Sequence, residues 1–201
     1  MPRGSKVVIL VRHGECVTNT SLMLSSDHDV GGLTEKGAAQ ARAVAGALSP
    51  YAPKIASLHT SPVVRAMQTA AEIGDVLGVG PKIDRRLTER GMGSLNRMTF
   101  HTREEMVRRY KQAAASGDEG VEEWGTLVSR MKSFFDDLAP GVHVAVTHYD
   151  PVVAAASIID EKYGHGRFYV PNASLTVLDY PDEVLSFGAR ELTGRRFGLL
   201  P

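Results

Sequence analysis

The stretch Lys6-Val-Val-Ile-Leu-Val-Arg12-His13-Gly14-Glu15 decides how the rest of this sequence is interpreted. Its apolar, β-branched run, 6–11, predicts a buried central strand of a sheet. The strand is followed at once by an arginine, an imidazole and a carboxylate, and charges this close to a core cost free energy unless they are paired or bind something. Since open α/β proteins bind ligands at the carboxyl ends of their strands, we expect a functional site here. An ordinary strand end with polar surface residues is the alternative.

The composition is typical of a soluble globular protein: 201 residues, 43% hydrophobic and 23% charged, most simply one domain spanning 1–201. Lys+Arg and Asp+Glu both number 23, so the charge balance favours neither nucleic acid nor an anionic membrane as a partner. The single cysteine, Cys16, excludes an internal disulfide framework and fits a reducing compartment. No segment approaches the ~20 apolar residues of a membrane span. The apolar run after the basic start is shorter than the core of about 7–15 residues that a signal peptide needs. We therefore expect a cytoplasmic protein.

Strands and helices alternate along the chain, which predicts an α/β fold with a largely parallel sheet. After the first strand, 20–32 is polar with few apolar residues and is expected to be a loop. A metal site at Asp27, His28 and Asp29 is the less favoured interpretation, because three adjacent side chains do not readily converge on one ion. The expected helices are 34–48, with Thr34 as N-cap, and 62–77, 102–115, 124–138 and 152–159. The expected further strands are 55–59, 82–87, 143–148, 174–180 and 184–187.

The second informative stretch, Ser61-Pro62-Val-Val-Arg65, starts a predicted helix. Ser61 suits the N-cap and Pro62 the first helical position. Arg65 lies in the first turn and off the apolar stripe, where the helix dipole disfavours a cation. An anion bound at this helix end would resolve the conflict, and a surface arginine that reaches water is the alternative.

Two further residues, Glu89 and His148, are candidates for a functional site. Glu89 follows the polar 82–87 strand in a glycine-rich turn, where an exposed carboxylate is the alternative. His148 ends the 143–148 strand, as His13 ends the first, and a structural histidine is the alternative. His143 differs from His148 by five positions, so the two face opposite sides of the sheet and cannot share a metal.

A parallel sheet can bring all these side chains to one edge, around a space the size of an anion. Planar guanidinium groups bind phosphate bidentately, an imidazole is a competent nucleophile toward phosphorus, and a carboxylic acid can protonate a leaving oxygen. The set is Arg12, His13, Arg65, Glu89 and His148.

The sequence resembles the histidine phosphatase superfamily, the phosphoglycerate-mutase-like proteins. The combination of Arg-His-Gly-Glu after an apolar strand, Ser-Pro-x-x-Arg about fifty residues later and a second histidine at a strand end is specific. This resemblance implies a three-layer sandwich, with a mostly parallel central sheet and helices on both faces. The matching stretches are VRHGECVTN (11–19), LTEKG (33–37), SPVVRAMQTA (61–70), LTER (87–90), VTH (146–148) and PNAS (171–174).

The resemblance also implies roles. His13 resembles the nucleophile that becomes phosphohistidine. Glu89 resembles the acid that protonates the departing oxygen and then activates water. Arg12, Arg65 and His148 resemble the pocket that grips the transferred phosphoryl group.

The substrate-binding candidates that the resemblance adds are Asn19, as an accessory phosphate contact, and Ser25 and Arg90. Neither a metal nor a cofactor is implied. The chain departs from the family pattern at Tyr149, where a small glycine is usual, which puts the size of the substrate in doubt. Cys16 replaces a usual threonine or serine, either as a packing residue or as an oxidation-sensitive thiol.

These features favour a metal-independent phosphatase for small phosphomonoesters. Ser25 and Arg97 stand where mutases commonly have glycine, and the closing C-terminal tail typical of mutases is not recognisable, although a cofactor-dependent phosphoglycerate mutase remains the alternative enzyme. A non-catalytic binder of phosphorylated partners is the alternative from another class. The expected ligand is a small phosphorylated metabolite, its pocket shaped by a helical specificity segment at about 93–120 and by the loop 163–170. The sequence is compatible with a homodimer and does not decide the oligomeric state.

Overall fold

A computed structural model describes residues 5–117, 119–164 and 168–192 of the chain. The strands in these residues are β1 (Lys6–Arg12), β2 (Ile55–Thr60), β3 (Lys82–Ile83), β4 (Gly141–Thr147), β5 (Leu175–Tyr180) and β6 (Glu183–Ala189). The helices are α1 (Val17–Thr20), α2 (Glu35–Leu48), α3 (Val64–Leu77), α4 (Arg103–Ser116), α5 (Trp124–Asp137) and α6 (Tyr149–Ile159). The strands form one sheet in the order β3-β2-β4-β1-β5-β6, in which β1 to β4 run parallel, β5 is antiparallel to β1, and β6 is antiparallel to β5.

The alternating side chains of β1 separate two cores, one on each face of the sheet. Val7, Ile9 and Val11 are buried with the apolar faces of α2 and α3. Val8 and Leu10 are buried with α5 and α6 on the opposite face. A strand covered by helices on both sides must be apolar at every position, as this one is. The predicted three-layer sandwich with a mostly parallel sheet is confirmed.

The first predicted helix, 34–48, is α2 of the structure, and its N-cap is the predicted one. Thr34 is the N-cap of α2, and its Oγ1 accepts a hydrogen bond from the backbone N of Gly37 at 3.0 Å. The helix ends at Leu48, as the Ser49-Pro50 signal predicts.

The predicted strand over 82–87 is wrong beyond its first two residues. β3 covers only Lys82–Ile83, both exposed, and a 3-10 turn follows at Arg85–Leu87. Asp84 starts this turn by accepting a hydrogen bond from the backbone N of Arg86 at 2.9 Å, and its carboxylate pairs with the same guanidinium at 2.7 Å. An Asx-type turn competes with strand pairing wherever no buried apolar face holds the strand in place.

The predicted start of the helix over 62–77 is also wrong. α3 starts at Val64, with Val63 and not Ser61 at the N-cap, so Pro62 lies before the helix. Arg65 is 3% exposed, so the alternative of a surface arginine reaching water is wrong as well.

The segment 93–120 lies outside the sheet and carries α4. Thr102 caps this helix through a bond from the backbone N of Glu105, and Gly117 ends it with a left-handed backbone (φ 71°). A separate small core, Met92, Leu95, Ala113 and Val121, attaches the segment to the rest of the molecule. Among the described residues no helix has the length and apolarity that crossing a bilayer would take. The basic start, part of the loop 163–170 and the tail from 193 onward lie outside the described residues.

Candidate active site

Three neighbouring parallel strands end at the same edge of the sheet and are followed by the candidate residues. His13 follows β1, and its backbone N donates to Thr147 O at 3.0 Å. His148 follows β4 directly. Ser61 follows β2, and its backbone N donates to Val146 O at 3.0 Å. Continued pairing beyond the strands therefore holds the two histidines and this serine in a fixed register.

His13 is buried, and its two ring nitrogens have different partners. Nδ1 lies 2.7 Å from Gly14 O, which only an N–H can satisfy, so Nε2 carries the lone pair. Arg65 Nε donates to this Nε2 at 3.2 Å. Burial, with Arg65 and Arg12 nearby, holds the pKa of His13 well below its ordinary value of 6.5. The ring is thus neutral, with Nε2 as its nucleophilic atom.

Gly14 is required by the contact between the end of β1 and the start of α2. A Cβ at this position would lie 2.4 Å from Gly37 O, and a Cβ on Gly37 would lie 1.8 Å from Glu15 O. The side chain of Glu15 points to the same helix end, where it pairs with Lys36 at 2.7 Å and accepts from Thr34 Oγ1 at 3.0 Å. This carboxylate therefore anchors α2 and belongs to the helix, not to the reactive cluster.

His148 is fully buried, and a single serine holds its ring. Ser61 Oγ lies 2.8 Å from Nε2 of this histidine and also accepts from the backbone N of Val63 at 3.3 Å. The bond from Val63 leaves the hydroxyl hydrogen free to point to Nε2, and in that arrangement Nδ1 is the protonated nitrogen. Among the described residues Nδ1 has no partner. Burial, Arg65 and His13 lower the pKa of His148 well below 6.5, and the two histidine rings are 5.1 Å apart.

Two arginines lie beside His13 without a carboxylate partner in the described part of the chain. Arg65 donates to Ser25 O at 2.9 Å and to Val30 O at 3.4 Å. Arg12 donates to Val170 O at 2.5 Å, while its Nε is buried without a described partner. Burial lowers the pKa of both guanidinium groups. Glu89 is near enough for its charge to act on both arginines, but neither has an ion-pair partner among the described residues. Cations withdrawn from water in this way are costly alone and indicate an anion site.

Glu89 and Asp150 form a second cluster at the cavity wall. Glu89 Oε1 accepts from the backbone N of Arg90 at 2.9 Å and of Asp150 at 3.3 Å, and Oε2 has no partner among the described residues. Tyr110 donates its hydroxyl to the Asp150 carboxylate. Burial, and then the charge of Glu89, raise the pKa of Asp150 to about 7. The alternative that Glu89 is a free surface carboxylate is wrong.

The three predicted substrate-binding residues all line the same cavity, but they differ in which hydrogen-bonding groups remain free for a ligand. Asn19 Oδ1 accepts from Cys16 N at 3.3 Å and from Asn172 Nδ2 at 2.9 Å, so its own Nδ2 donors are free in the described structure. Ser25 uses its hydroxyl within its loop. Arg90 is buried and donates to Glu122 O at 2.6 Å and to the Tyr110 hydroxyl at 3.1 Å.

Asn172 and Ala173 lie at the candidate site, and the sequence suggested no role for them beyond the PNAS stretch. Asn172 Nδ2 donates to His13 O at 3.2 Å and to Asn19. Ala173 has a left-handed backbone (φ 55°), and its N donates to Arg12 O at 2.9 Å. These contacts join residues about 160 positions apart in the sequence and hold the end of β1 in place.

The loop expected at 20–32 is held by ion pairs. Asp27 accepts from Asn96 at 2.6 Å and pairs with Arg97, which also reaches Asp29 at 3.6 Å. In the part of the chain that the structure describes, no three His, Cys, Asp or Glu side chains converge as a metal site. Cys16 is buried against Asn19 and Thr18, which fits the packing interpretation of this cysteine.

The candidate residues open into a cavity of about 900 Å³. His148 lies behind it, in contact with the ring of His13. The predicted site residues that line the cavity are Arg12, His13, Asn19, Ser25, Arg65, Glu89 and Arg90. Its remaining wall is formed largely by α4 and the residues packed near it.

Comparison with known proteins shows the family of the chain. The profile of the histidine phosphatase superfamily (branch 1) matches residues 8–189. The chain belongs to this superfamily. It is 33% identical over 202 residues to the 2,3-bisphosphoglycerate-dependent phosphoglycerate mutase of Thermoplasma acidophilum, and the alignment covers 94% of each chain. The resemblance inferred from the motifs is therefore confirmed.

Solved structures share the fold at lower identity. The structure described as mycobacterial hydrolase 2 superimposes with a TM-score of 0.77 at 20% identity, covering 96% of this chain and 94% of the other. A mycobacterial glucosyl-3-phosphoglycerate phosphatase, solved in complex with VO3, superimposes with a TM-score of 0.71 at 21% identity, covering 86% and 90%. At these identities the likeness concerns the fold alone.

Proposed function

We propose that this histidine phosphatase superfamily member is a metal-independent phosphatase, which hydrolyses small phosphomonoesters through a phosphohistidine on His13. One observation carries the proposal: a neutral imidazole, with Nε2 as its free base, lies beside two arginines that have no carboxylate partner in the described chain. A phosphomonoester supplies both the missing negative charge and the electrophile.

The phosphoryl group would be held by donors that have no anionic partner among the described residues. Arg12 and Arg65 provide guanidinium N–H groups and Asn19 its Nδ2. His148, behind His13, would add Nδ1–H when Ser61 donates to its Nε2. Phosphate oxygens compete for the Arg65 N–H that now occupies Nε2 of His13, so substrate binding itself would free the nucleophile's lone pair. Such fixed donors stabilise the charge on the equatorial oxygens without a metal.

The reaction then proceeds in two balanced steps. In the first, His13 Nε2 forms a bond to phosphorus, the bond from phosphorus to the leaving oxygen breaks, and Glu89 gives its proton to that oxygen. In the second, the Glu89 carboxylate takes a proton from water, the water oxygen bonds to phosphorus, and the P–N bond breaks to release inorganic phosphate. One residue acts as acid and then as base because its protonation state alternates between the steps.

The test is phosphate release from p-nitrophenyl phosphate in the presence of EDTA, by the wild type, His13→Ala and the control His101→Ala. His101 is exposed and does not line the cavity. We expect release by the wild type and by His101→Ala, and none by His13→Ala. Loss of the wild-type activity in EDTA would contradict metal independence, and equal rates in all three proteins would contradict the role of His13.

Phosphoglycerate mutase is the second candidate, and the identity to the Thermoplasma mutase favours it. A mutase must hold two anionic groups of one small molecule. Near the site, however, Arg97 is paired with Asp27 and Asp29, and Arg90 already donates to Glu122 O and Tyr110. Interconversion of phosphoglycerates that depends on added 2,3-bisphosphoglycerate, and exceeds phosphate release, would overturn the phosphatase proposal.

A further inference from the structure

The cavity is far larger than a phosphoryl group requires, and its lining changes character away from His13. At about 900 Å³ it falls at the upper end of the range for pockets that enclose whole organic ligands. Beyond the charged residues, much of the lining is apolar or aromatic. We call this surface the apolar wall; it consists of Met23, Met92, Met106, Val107, Tyr110 and Trp124.

The charged groups along this wall do not make it a second anion site. Arg90 is buried, and it already donates to Glu122 O and to the Tyr110 hydroxyl. Its guanidinium carbon lies 5.8 Å from the ring centre of Tyr110 and 5.6 Å from that of Trp124. Arg103 and Lys111 line the cavity from α4 but are exposed to solvent, so they lie where the cavity opens to water. A small polar leaving group would leave the apolar wall uncovered.

We propose that the leaving group of the substrate is an apolar body, alkyl or aromatic, which packs against the apolar wall while the phosphate binds Arg12 and Arg65. The inference rests on the proposed function for the phosphate end only. It names the substrate class, an amphipathic phosphomonoester, because a single cavity joins a cationic end to an apolar wall. Val107 lines this cavity from α4 and is 41% exposed, so its side chain is accessible to such a ligand.

The test uses a series of n-alkyl phosphates from ethyl to octyl phosphate, whose primary alcohols are nearly equal as leaving groups. Burial of each added methylene is worth about a fourfold increase in kcat/KM, so hexyl phosphate should exceed ethyl phosphate by up to about 250-fold. A kcat/KM that is flat or falls with chain length, or a preference for 3-phosphoglycerate over hexyl phosphate, would overturn the proposal.

A matched pair of variants locates the effect. Val107→Asp places a charge in the apolar wall and should lower the hexyl-to-ethyl ratio of kcat/KM by about tenfold. Val76→Asp makes the same change at a 47% exposed position of α3 outside the cavity and should keep both the ratio and the basal rate of the wild type. Equal ratios in the two variants would refute the assignment of this wall.

Failure of the proposed function would give a different pattern. If no phosphomonoester is hydrolysed, calorimetric titration of the wild type with ethyl- and hexylphosphonate still tests the wall. Tighter binding of hexylphosphonate, lost in Val107→Asp and kept in Val76→Asp, would support the apolar subsite without any turnover. Equal affinities of the wild type for the two phosphonates would refute the subsite, whether or not the protein is a phosphatase.

Discussion

Replacing Ser61 by alanine removes both hydrogen bonds of one buried hydroxyl and tests its part in the proposed chemistry. The hydroxyl accepts from the backbone N of Val63 and lies 2.8 Å from Nε2 of His148, and when it donates to Nε2 the ring proton stays on Nδ1. Ser61→Ala leaves two buried polar atoms without a partner, which should lower the free energy of unfolding by roughly 2 kcal/mol and the Tm by about 4–8 °C. If Nδ1–H holds a phosphoryl oxygen, transfer of that proton to Nε2 in the variant should also cost about 1.5–3 kcal/mol in the transition state, a loss of kcat of about 10- to 160-fold.

The chain offers a matched control in β2, the strand that Ser61 follows. Ser57 is buried and lies 2.7 Å from a nitrogen of His59 and 2.7 Å from one of His143, outside the cavity. Ser57→Ala should therefore destabilise the protein to a similar degree while kcat stays at the wild-type value. The assay is the steady-state rate with p-nitrophenyl phosphate, measured well below the Tm of both variants. If Ser61→Ala loses no more kcat than Ser57→Ala, the tautomer argument for His148 is refuted.

Three further predictions follow from the charges at the site. Glu89→Gln should slow an alkyl phosphate by about 100-fold or more but p-nitrophenyl phosphate far less, since nitrophenolate leaves without a proton; equal slowing in steady-state rates would remove Glu89 from the acid role. The depressed pKa values of His13 and His148 mean that the unfolded chain binds more protons below pH 6.5. The free energy of unfolding should therefore fall as the pH drops below that value, by up to about 1.4 kcal/mol per pH unit for each histidine. Urea titrations at several pH values measure this free energy, and its dependence on pH should be weaker in His148→Gln. The raised pKa of Asp150 has the opposite effect on stability. Between pH 3.8 and about 7 the folded state binds the extra proton, so this group lowers the free energy of unfolding as the pH rises through that window. Asp150→Asn should gain stability relative to the wild type from pH 4 to pH 7 in the same titrations, and a constant difference would contradict the burial argument.

The sequence was sufficient for the fold because its strongest signals are local. The apolar β1 run, the Thr34 cap and the helical stripes predict elements that the structure contains, and their alternation leaves few topologies. The same local logic was wrong at Ser61 and at 82–87. A serine followed by proline is a common helix start, but here the serine hydroxyl contacts a buried histidine that follows the neighbouring strand, and α3 starts only at Val64.

The site could be predicted only in part, for the same physical reason. His13, Arg65 and His148 follow strand ends or a helix start, and parallel topology alone brings such positions together. Asp150 and Asn172 gave no comparable signal, because their roles depend on contacts with Tyr110 and with the end of β1 that only packing creates. Glu15 is the converse case, since its place beside His13 in sequence suggested chemistry but its side chain anchors a helix.

The most direct test of the central claim is to trap the phosphoenzyme. Glu89→Gln should still be phosphorylated by p-nitrophenyl phosphate but should hydrolyse the intermediate slowly, because water then lacks its base. Rapid quenching in alkali, followed by intact-mass analysis and peptide mapping, should find one phosphoryl group per chain, on His13, and none in the double variant His13→Ala, Glu89→Gln. A phosphoryl group on any other residue, or hydrolysis of the substrate with no phosphoenzyme at any quench time, would contradict the account.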